Sequence, residues 1–309
     1  MFMEKRILVT GANGFIGSNI IYELLANSTP VTALVREKSD IDYLKSIKCY
    51  NIIQTDNYLD PIVIRKLSMS KPEYIVHCAW SNNQLKDTKN LIKILELAKN
   101  INCKGFITIG SYKEYGQLEK DLSEDTICTP KNSYGRSKQA FYMLTKEICA
   151  SLDIKHIHLR LGIPYSNKKD SDFYFNNVIK KIYKDELVLL KNIYDVQDYI
   201  HTSEIARGIV SLINNDAEGD FNLSFGQGVE IKSVLNMIYE KLNKKFIFDE
   251  SSSQNKKVFN LNINKIYNQS NWKPAISIWD GISLLIQEVK FENNPTLEQF
   301  TKRIRSLYK

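Results

Sequence analysis

The chain has 309 residues, 43% of them hydrophobic, enough for a substantial buried core in one large domain or two closely joined ones. Its 42 Lys and Arg exceed its 35 Asp and Glu for a net charge of +7, but they are spread along the chain and interleaved with acids. That pattern argues against nucleic acid, which selects clustered charge, and suits an acidic small molecule. No apolar run approaches the roughly 18 residues of a membrane span, and the five cysteines are scattered without a CxxC, so a cytoplasmic protein with reduced thiols is expected.

In chain order, residues 6–11 (RILVTG) read as a strand, 15–25 as a helix, and 31–36 and 50–56 as a second and third strand. Residues 74–80 form a fourth, followed by a helix over about 87–100; 105–111 form a fifth, then comes a helix carrying Tyr134, and 157–162 complete the series. Strands this apolar on both faces, alternating with helices, predict an α/β fold with a parallel, doubly wound sheet. After Pro164 the rhythm breaks. Short helices and a polar stretch over 249–257 predict a smaller, irregular second region. Ligands of such sheets lie beyond the carboxyl ends of the strands, which makes the residues after each strand the candidates for function.

After the first strand, Gly11, Gly14 and Gly17 sit three apart at a strand-to-helix turn. Glycine permits the tight turn and lets backbone amides approach a pyrophosphate, which the helix dipole favours; the other reading is a turn that serves only the fold. Arg36 ends the second strand, with Lys38 and Ser39 nearby. An acid there would bind a ribose 2′-hydroxyl, whereas arginine favours a 2′-phosphate, so the expected cofactor is NADP (as NADPH) unless Arg36 is simply a solvated surface residue. Asp56, after the third strand, suits either an adenine amino group or a helix cap.

Ser111 follows the fifth strand, and Tyr134 stands four residues before Lys138. The spacing alone is weak, because Tyr142/Lys146 and Tyr165/Lys169 share it and chance supplies about two such pairs in a chain of this composition. Tyr142 lies about 80° round the helix from Tyr134 and roughly 12 Å along it, so it is not expected to serve the same cleft. Tyr165 lies beyond the last strand of the series. Only Tyr134 and Lys138 are expected opposite the glycine turn and Ser111. The ammonium is expected to lower the phenol's pKa. Tyr134 would then exchange a proton with a carbonyl oxygen that Ser111 holds by hydrogen bond. His77, His156, His158 and His201 show no ligand spacing, so they read as structural and no metal is expected.

Taken together, these residues resemble the extended short-chain dehydrogenase/reductase family of nucleotide-sugar epimerases, dehydratases and reductases. The resemblance rests on Gly11/Gly14/Gly17, Asp56, "VHCAW", "GSYKEYG", Tyr134 and Lys138 within "SYGRSK", Arg160 in "LRLGIPYS", "QDYIHTSEIA" and "GDFNLSFGQG", and so spans nearly the whole chain. It implies a Rossmann domain over about 1–165 with a return of about 198–222, and a smaller C-terminal nucleotide-sugar substrate domain over 166–309. It implies cofactor contacts from Asn13, Phe15, Ile16, Asn57, Cys78, Ala79 and Trp80 besides those above. It also implies a homodimer formed through the helices starting near Asp87 and Ser133, whose apolar stripes (Leu91, Ile94, Leu95, Ala98; Phe141, Leu144, Ile148) are available for that contact or for core packing.

Departures from the family pattern narrow the reading. The Asp-Glu pair that follows the catalytic hydroxyl in 4,6-dehydratases is here Tyr112 and Lys113, so dehydration is not expected. Ile163 stands where many epimerases have a diphosphate-binding asparagine, and Gln197 where they have an arginine, leaving Tyr112, Asn176, Asn177 and Arg207 as substrate candidates. "SYKEYG" and Arg36 resemble the NADP-linked branch that reduces nucleotide-linked 4-keto-6-deoxyhexoses for surface polysaccharides such as O-antigen lipopolysaccharide. The alternatives are an NAD-dependent nucleotide-sugar epimerase and a non-enzymatic dinucleotide sensor, the latter disfavoured by the presence of both Tyr134 and Lys138.

Overall fold

The structure is a computed structural model and describes residues 5–81, 83–116, 121–166, 174–186, 188, 192–245 and 256–292. The first half alternates β1 (Ile7–Thr10), α1 (Phe15–Ala26), β2 (Val31–Val35), α2 (Asp42–Ser46), β3 (Ile52–Gln54), α3 (Pro61–Ser70), β4 (Tyr74–His77), α4 (Gln84–Asn100) and β5 (Gly105–Ile109). A 3-10 turn (Tyr112–Glu114) precedes α5 (Ser133–Ser151) and β6 (Lys155–Leu161). Then follow β7 (Ile163–Tyr165), α6 (Tyr174–Tyr183), β8 (Val196–Gln197), β9 (Tyr199–His201), α7 (Thr202–Asn214), β10 (Gly219–Leu223), β11 (Val229–Glu230), α8 (Ile231–Lys241), α9 (Asn264–Ser270) and α10 (Ile278–Glu292).

Seven parallel strands form the main sheet in the order β10-β6-β5-β4-β1-β2-β3, reversing direction of progress between β1 and β4. This is the doubly wound Rossmann architecture that alternation of strand and helix predicts. Both faces are covered because alternate strand residues point to opposite sides. Ile7 and Val9 join a core with Ile20, Ile21 and Leu24 of α1 and Ile205, Ile209 and Leu212 of α7. Leu8, Leu34, Ile75 and Phe106 face the other way, onto Val63 and Leu67 of α3 and Leu91, Ile94, Leu95 and Ala98 of α4. Each such side chain contributes roughly 1.5–3 kcal/mol by leaving water. The stripe on α4 is therefore spent on the sheet and is not free for a partner. On α5, Phe141 and Ile148 also pack on that core, while Leu144 stays exposed.

Local chemistry sets the helix ends. Asp60, not Asp56, caps α3, accepting from the Ile62 amide at 2.8 Å ahead of Pro61 in the first turn. The return to the sheet is explicit: α7 packs against α1, and β10 pairs with β6 in parallel, Gly219 opposite Ile157. Between these β6 and β10 segments, Arg160 reaches Asp220 at 2.5 Å and the Tyr115 hydroxyl donates to Asn222 at 2.7 Å.

The region after Pro164 is more regular than its composition predicts. Phe175, Val178, Ile179 and Ile182 on α6, Val234, Leu235 and Ile238 on α8, and Ile282, Leu285, Ile286 and Val289 on α10 share a separate hydrophobic core. Their spacing of three and four residues buries one stripe of each helix, and the polar residues between them mask that periodicity. Of the polar stretch 249–257, residues 249–255 lie outside the described residues. No described helix is long and apolar enough to cross a membrane.

Candidate active site

The glycine turn is shaped by close backbone contacts. Gly11 has φ of +62°, and a Cβ there would lie 2.8 Å from the Ala79 amide nitrogen, so both conformation and space demand glycine. A Cβ on Gly17 would lie 2.3 Å from the Gly11 carbonyl, which lets α1 seat directly on the turn. Gly14 is the N-cap of α1 and supplies no side-chain cap, so the positive end of the helix begins directly at the glycine turn. Asn13 bridges this turn to the loop after β2, donating to the Asp40 carbonyl at 3.3 Å.

Arg36 follows β2 and is exposed, with Ser39 turned back onto it through the Ser39 amide, 2.9 Å from the Arg36 carbonyl. The buried Ser39 hydroxyl has no hydrogen-bond partner. Asp56 and Asn57 are exposed beyond β3, and the charges of Asp56 and Arg36 both bear on the Tyr58 phenol, which places them in one neighbourhood. An exposed guanidinium and a helix N-terminus with no side-chain cap fit a nicotinamide dinucleotide.

A cavity of about 200 Å³ runs inward from this turn. Ile16, Cys78, Ala79, Trp80, Ser111, Tyr134 and Lys138 line it, so the structure gathers these sequence-predicted residues into one place. Burial pushes the Cys78 thiol up to about 12, which leaves it a neutral wall group. A second cavity of about 460 Å³ opens outward and is lined by Tyr112, Lys113, Asn192, Asp195, Gln197 and Tyr199. Ser111 and Tyr134 line both cavities. They stand on the wall common to the two cavities.

The chemistry at that boundary is set by burial. Ser111 is buried at the N-cap of the 3-10 turn, and its hydroxyl favours the ionised form of the nearby Tyr134 phenol. Lys138 is almost wholly buried; its Nζ donates to the Ile109 carbonyl at 2.8 Å and lies 3.7 Å above the Trp80 ring. Burial lowers its pKa to about 8, with Glu114, Cys78 and Asp87 pulling the other way. The Tyr134 phenol is not made more acidic, contrary to the sequence expectation. Burial raises its pKa, Glu114 adds to the rise, and the Ser111 hydrogen bond offsets part of it. The lysine Nζ is held by the Ile109 carbonyl and the Trp80 ring and lies 5.7 Å from the phenol ring centre. Tyr134 is accordingly held neutral.

Tyr142 also departs from expectation. It lines the inner cavity with Tyr134, its ring 4.4 Å from His158, because the cavity runs along α5 instead of stopping at its first turn. Tyr165 is buried in β7, donating to the Ser277 carbonyl at 3.0 Å, and Lys169 lies outside the described residues. Tyr112 reaches the outer cavity and stacks on Phe259 at 4.2 Å. Asn176, Asn177 and Arg207 line neither cavity. Asn176 is buried against the Ser166 carbonyl, Asn177 is exposed on α6, and Arg207 is bound to Glu204 through two contacts of 2.9 and 2.8 Å. Sequence reading passed over Lys113, Asn192, Asp195 and Tyr199; the loop "NIYDVQDY" has no strand or helix period to fix its direction. Among the described residues no group of His, Cys, Asp and Glu could hold a metal ion.

The sequence model of the NAD dependent epimerase/dehydratase family matches residues 7–224. This chain belongs to that family. Family members modify nucleotide sugars by epimerisation, dehydration or reduction. The chain is 26% identical to dTDP-4-dehydro-6-deoxyglucose reductase of Escherichia coli, over 93% of this chain and 98% of that protein. It is 22% identical to CDP-abequose synthase of Salmonella muenchen, over 92% and 98%. Its fold is similar to dTDP-glucose 4,6-dehydratase from Bacillus anthracis solved with NAD, with a TM-score of 0.82 at 19% identity over 94% of this chain and 97% of that one. It is also similar to UDP-glucuronic acid 4-epimerase from Bacillus cereus solved with NAD, with a TM-score of 0.78 at 22% identity over 92% and 99%.

Proposed function

We propose that this protein is an NADPH-dependent reductase of the 4-keto group of a nucleotide-linked 4-keto-6-deoxyhexose, with dTDP-4-keto-6-deoxyglucose to dTDP-fucose as the leading conversion, in surface-polysaccharide synthesis. The observation that carries this reading is the Ser111–Tyr134 pair on the wall common to the inner and outer cavities. NADPH supplies the hydride when bound along the glycine turn. The chain's own residues do the rest. Ser111 holds the ketone oxygen, stabilising the charge that develops on it. Tyr134, kept neutral by burial, gives that oxygen its proton. Lys138 stays in place through Ile109 and Trp80 and keeps a positive charge beside the donor below about pH 8.

Two further features support reduction over dehydration. Tyr112 is packed on Phe259 and Lys113 is a cation, so neither removes water as a carboxyl pair would. The acid that does follow, Glu114, is fully buried and engaged by Ser111 and His158. The similarity to a dTDP-4-dehydro-6-deoxyglucose reductase and a CDP-abequose synthase favours the same substrate class. Arg36 favours NADPH, since it offers an exposed positive charge at the end of β2.

The test is incubation with dTDP- and CDP-4-keto-6-deoxyglucose while following NADPH absorbance, with the product identified by NMR. Stoichiometric NADPH loss with formation of the 4-hydroxy sugar is expected. Purification with bound NAD and isomerisation of a nucleotide sugar without added reductant would replace this reading with the epimerase one.

A further inference from the structure

Glu114 is a wholly buried carboxylate three residues beyond Ser111. A buried charge persists only where it is paired and hydrogen-bonded. Its Oε1 accepts from the Ser111 amide at 2.7 Å, closing a capping box with the Ser111 hydroxyl, which accepts from the Lys113 amide at 3.3 Å. Its Oε2 lies 2.9 Å from His158 Nε2 and 3.5 Å from Arg160 Nε. His158 is itself held by Thr108, whose hydroxyl lies 2.8 Å from His158 Nδ1 and 2.8 Å from His156 Nε2. The chain makes room for this carboxylate: a Cβ on Gly110 would lie 2.4 Å from Glu114 Oε1 and 2.4 Å from His158 Nε2.

We propose that Glu114 is a positioning residue whose carboxylate aims the Ser111 hydroxyl through the Ser111 backbone and supplies the buried negative charge that answers the Lys138 ammonium. The inference rests on the reductase reading above and names the group that sets its acid–base balance. An amide at 114 would keep an acceptor for Ser111 but not the charge. The charge has a specific audience. Lys138, on α5, is faced by Glu114 from the 3-10 turn, by Cys78 and His77 from the end of β4, by Asp87 from α4 and by Tyr134 on its own helix. Of the groups that hold its proton in place against burial, Glu114 contributes most, ahead of Cys78 and Asp87.

The sign is fixed by that order. Lys138 carries its charge below about pH 8 and loses it above, so turnover falls as pH rises through about 8. Removing the Glu114 charge takes away the largest upward pull, and the limb moves to lower pH. In Glu114→Gln the alkaline limb of kcat/KM is expected about one pH unit lower than in the unaltered protein. The fall in kcat at neutral pH should be roughly tenfold, with KM little changed. An unmoved limb in a folded Glu114→Gln protein overturns the proposal. Glu114→Asp, which keeps the charge and shortens the reach, serves where the amide variant does not fold. Its limb should stay in place while kcat falls, and unchanged kcat would overturn the aiming role. If the unaltered protein consumes no NADPH with the keto-sugar nucleotides, the reductase reading fails; if it reduces them and Glu114→Gln keeps an unaltered pH profile, only the inference about Glu114 fails.

Discussion

The two sides of the cleft are built by different means. On the inner side, proposed for the dinucleotide, the entrance is shaped by backbone: Gly11 at positive φ lies against Ala79, Gly17 seats on the Gly11 carbonyl, and α1 opens with no side-chain cap. On the outer side, proposed for the substrate, the wall is built from five separate segments and includes the side chains of Tyr112, Asn192, Gln197 and Ile231. The first wall accepts almost no substitution and therefore leaves a fixed imprint in the sequence. The second can be rebuilt one side chain at a time, which is how a shared fold takes different sugars. Ser111 and Tyr134 stand where the two meet.

The largest effect separating these sides is expected at that meeting point. Tyr134→Phe removes the proton donor but keeps the ring, so turnover should fall by roughly 10³-fold while NADPH still binds. Retained turnover in that variant would show that the proton comes from elsewhere. Next is the backbone wall. Gly11→Ala places a side chain at φ +62° and against Ala79, and is expected to destabilise the protein by about 2 kcal/mol or more and to abolish cofactor binding. A variant that melts and binds NADPH like the original would mean the turn relaxes freely. The smallest effect belongs to the exposed rim. Arg36→Asp should weaken NADPH about tenfold or more while leaving NADH nearly unaffected, measured by titration. An unchanged preference removes Arg36 from phosphate recognition.

The legibility of the site follows the same division. Strands apolar on both faces announced the parallel sheet, and the glycine turn announced its ligand-facing end, because both are backbone requirements. Ser111, Tyr134 and Lys138 were legible as a set once the strand order was assumed. Their energetics were not. The expected acidic phenol is instead held neutral, since the degree of burial and the competing acceptor at Ile109 depend on the assembled fold. Tyr142 was excluded by helical geometry that placed its ring correctly but took the cavity to be short. Glu114 was missed although a signal existed: serine followed three residues later by glutamate is a capping-box pattern, and here "SYKE" was read for its family resemblance and for what its middle residues lacked, not as a cap. Arg207 attracted attention as a cation, yet on α7 it is paired with Glu204 one turn earlier, near Glu23 of α1.

The seventh strand has a consequence for anyone who would trade parts between such proteins. β10 enters the sheet after the chain has already visited the outer cavity, and α7 on the way covers α1. A chimera cut cleanly at residue 165 would strip β6 of its neighbour, uncover the apolar face of α1, and part Arg160 from Asp220 and Tyr115 from Asn222. Sugar specificity in this scaffold is therefore best transplanted by exchanging cavity loops between fixed anchors, because the two halves are laced together and neither is a detachable module.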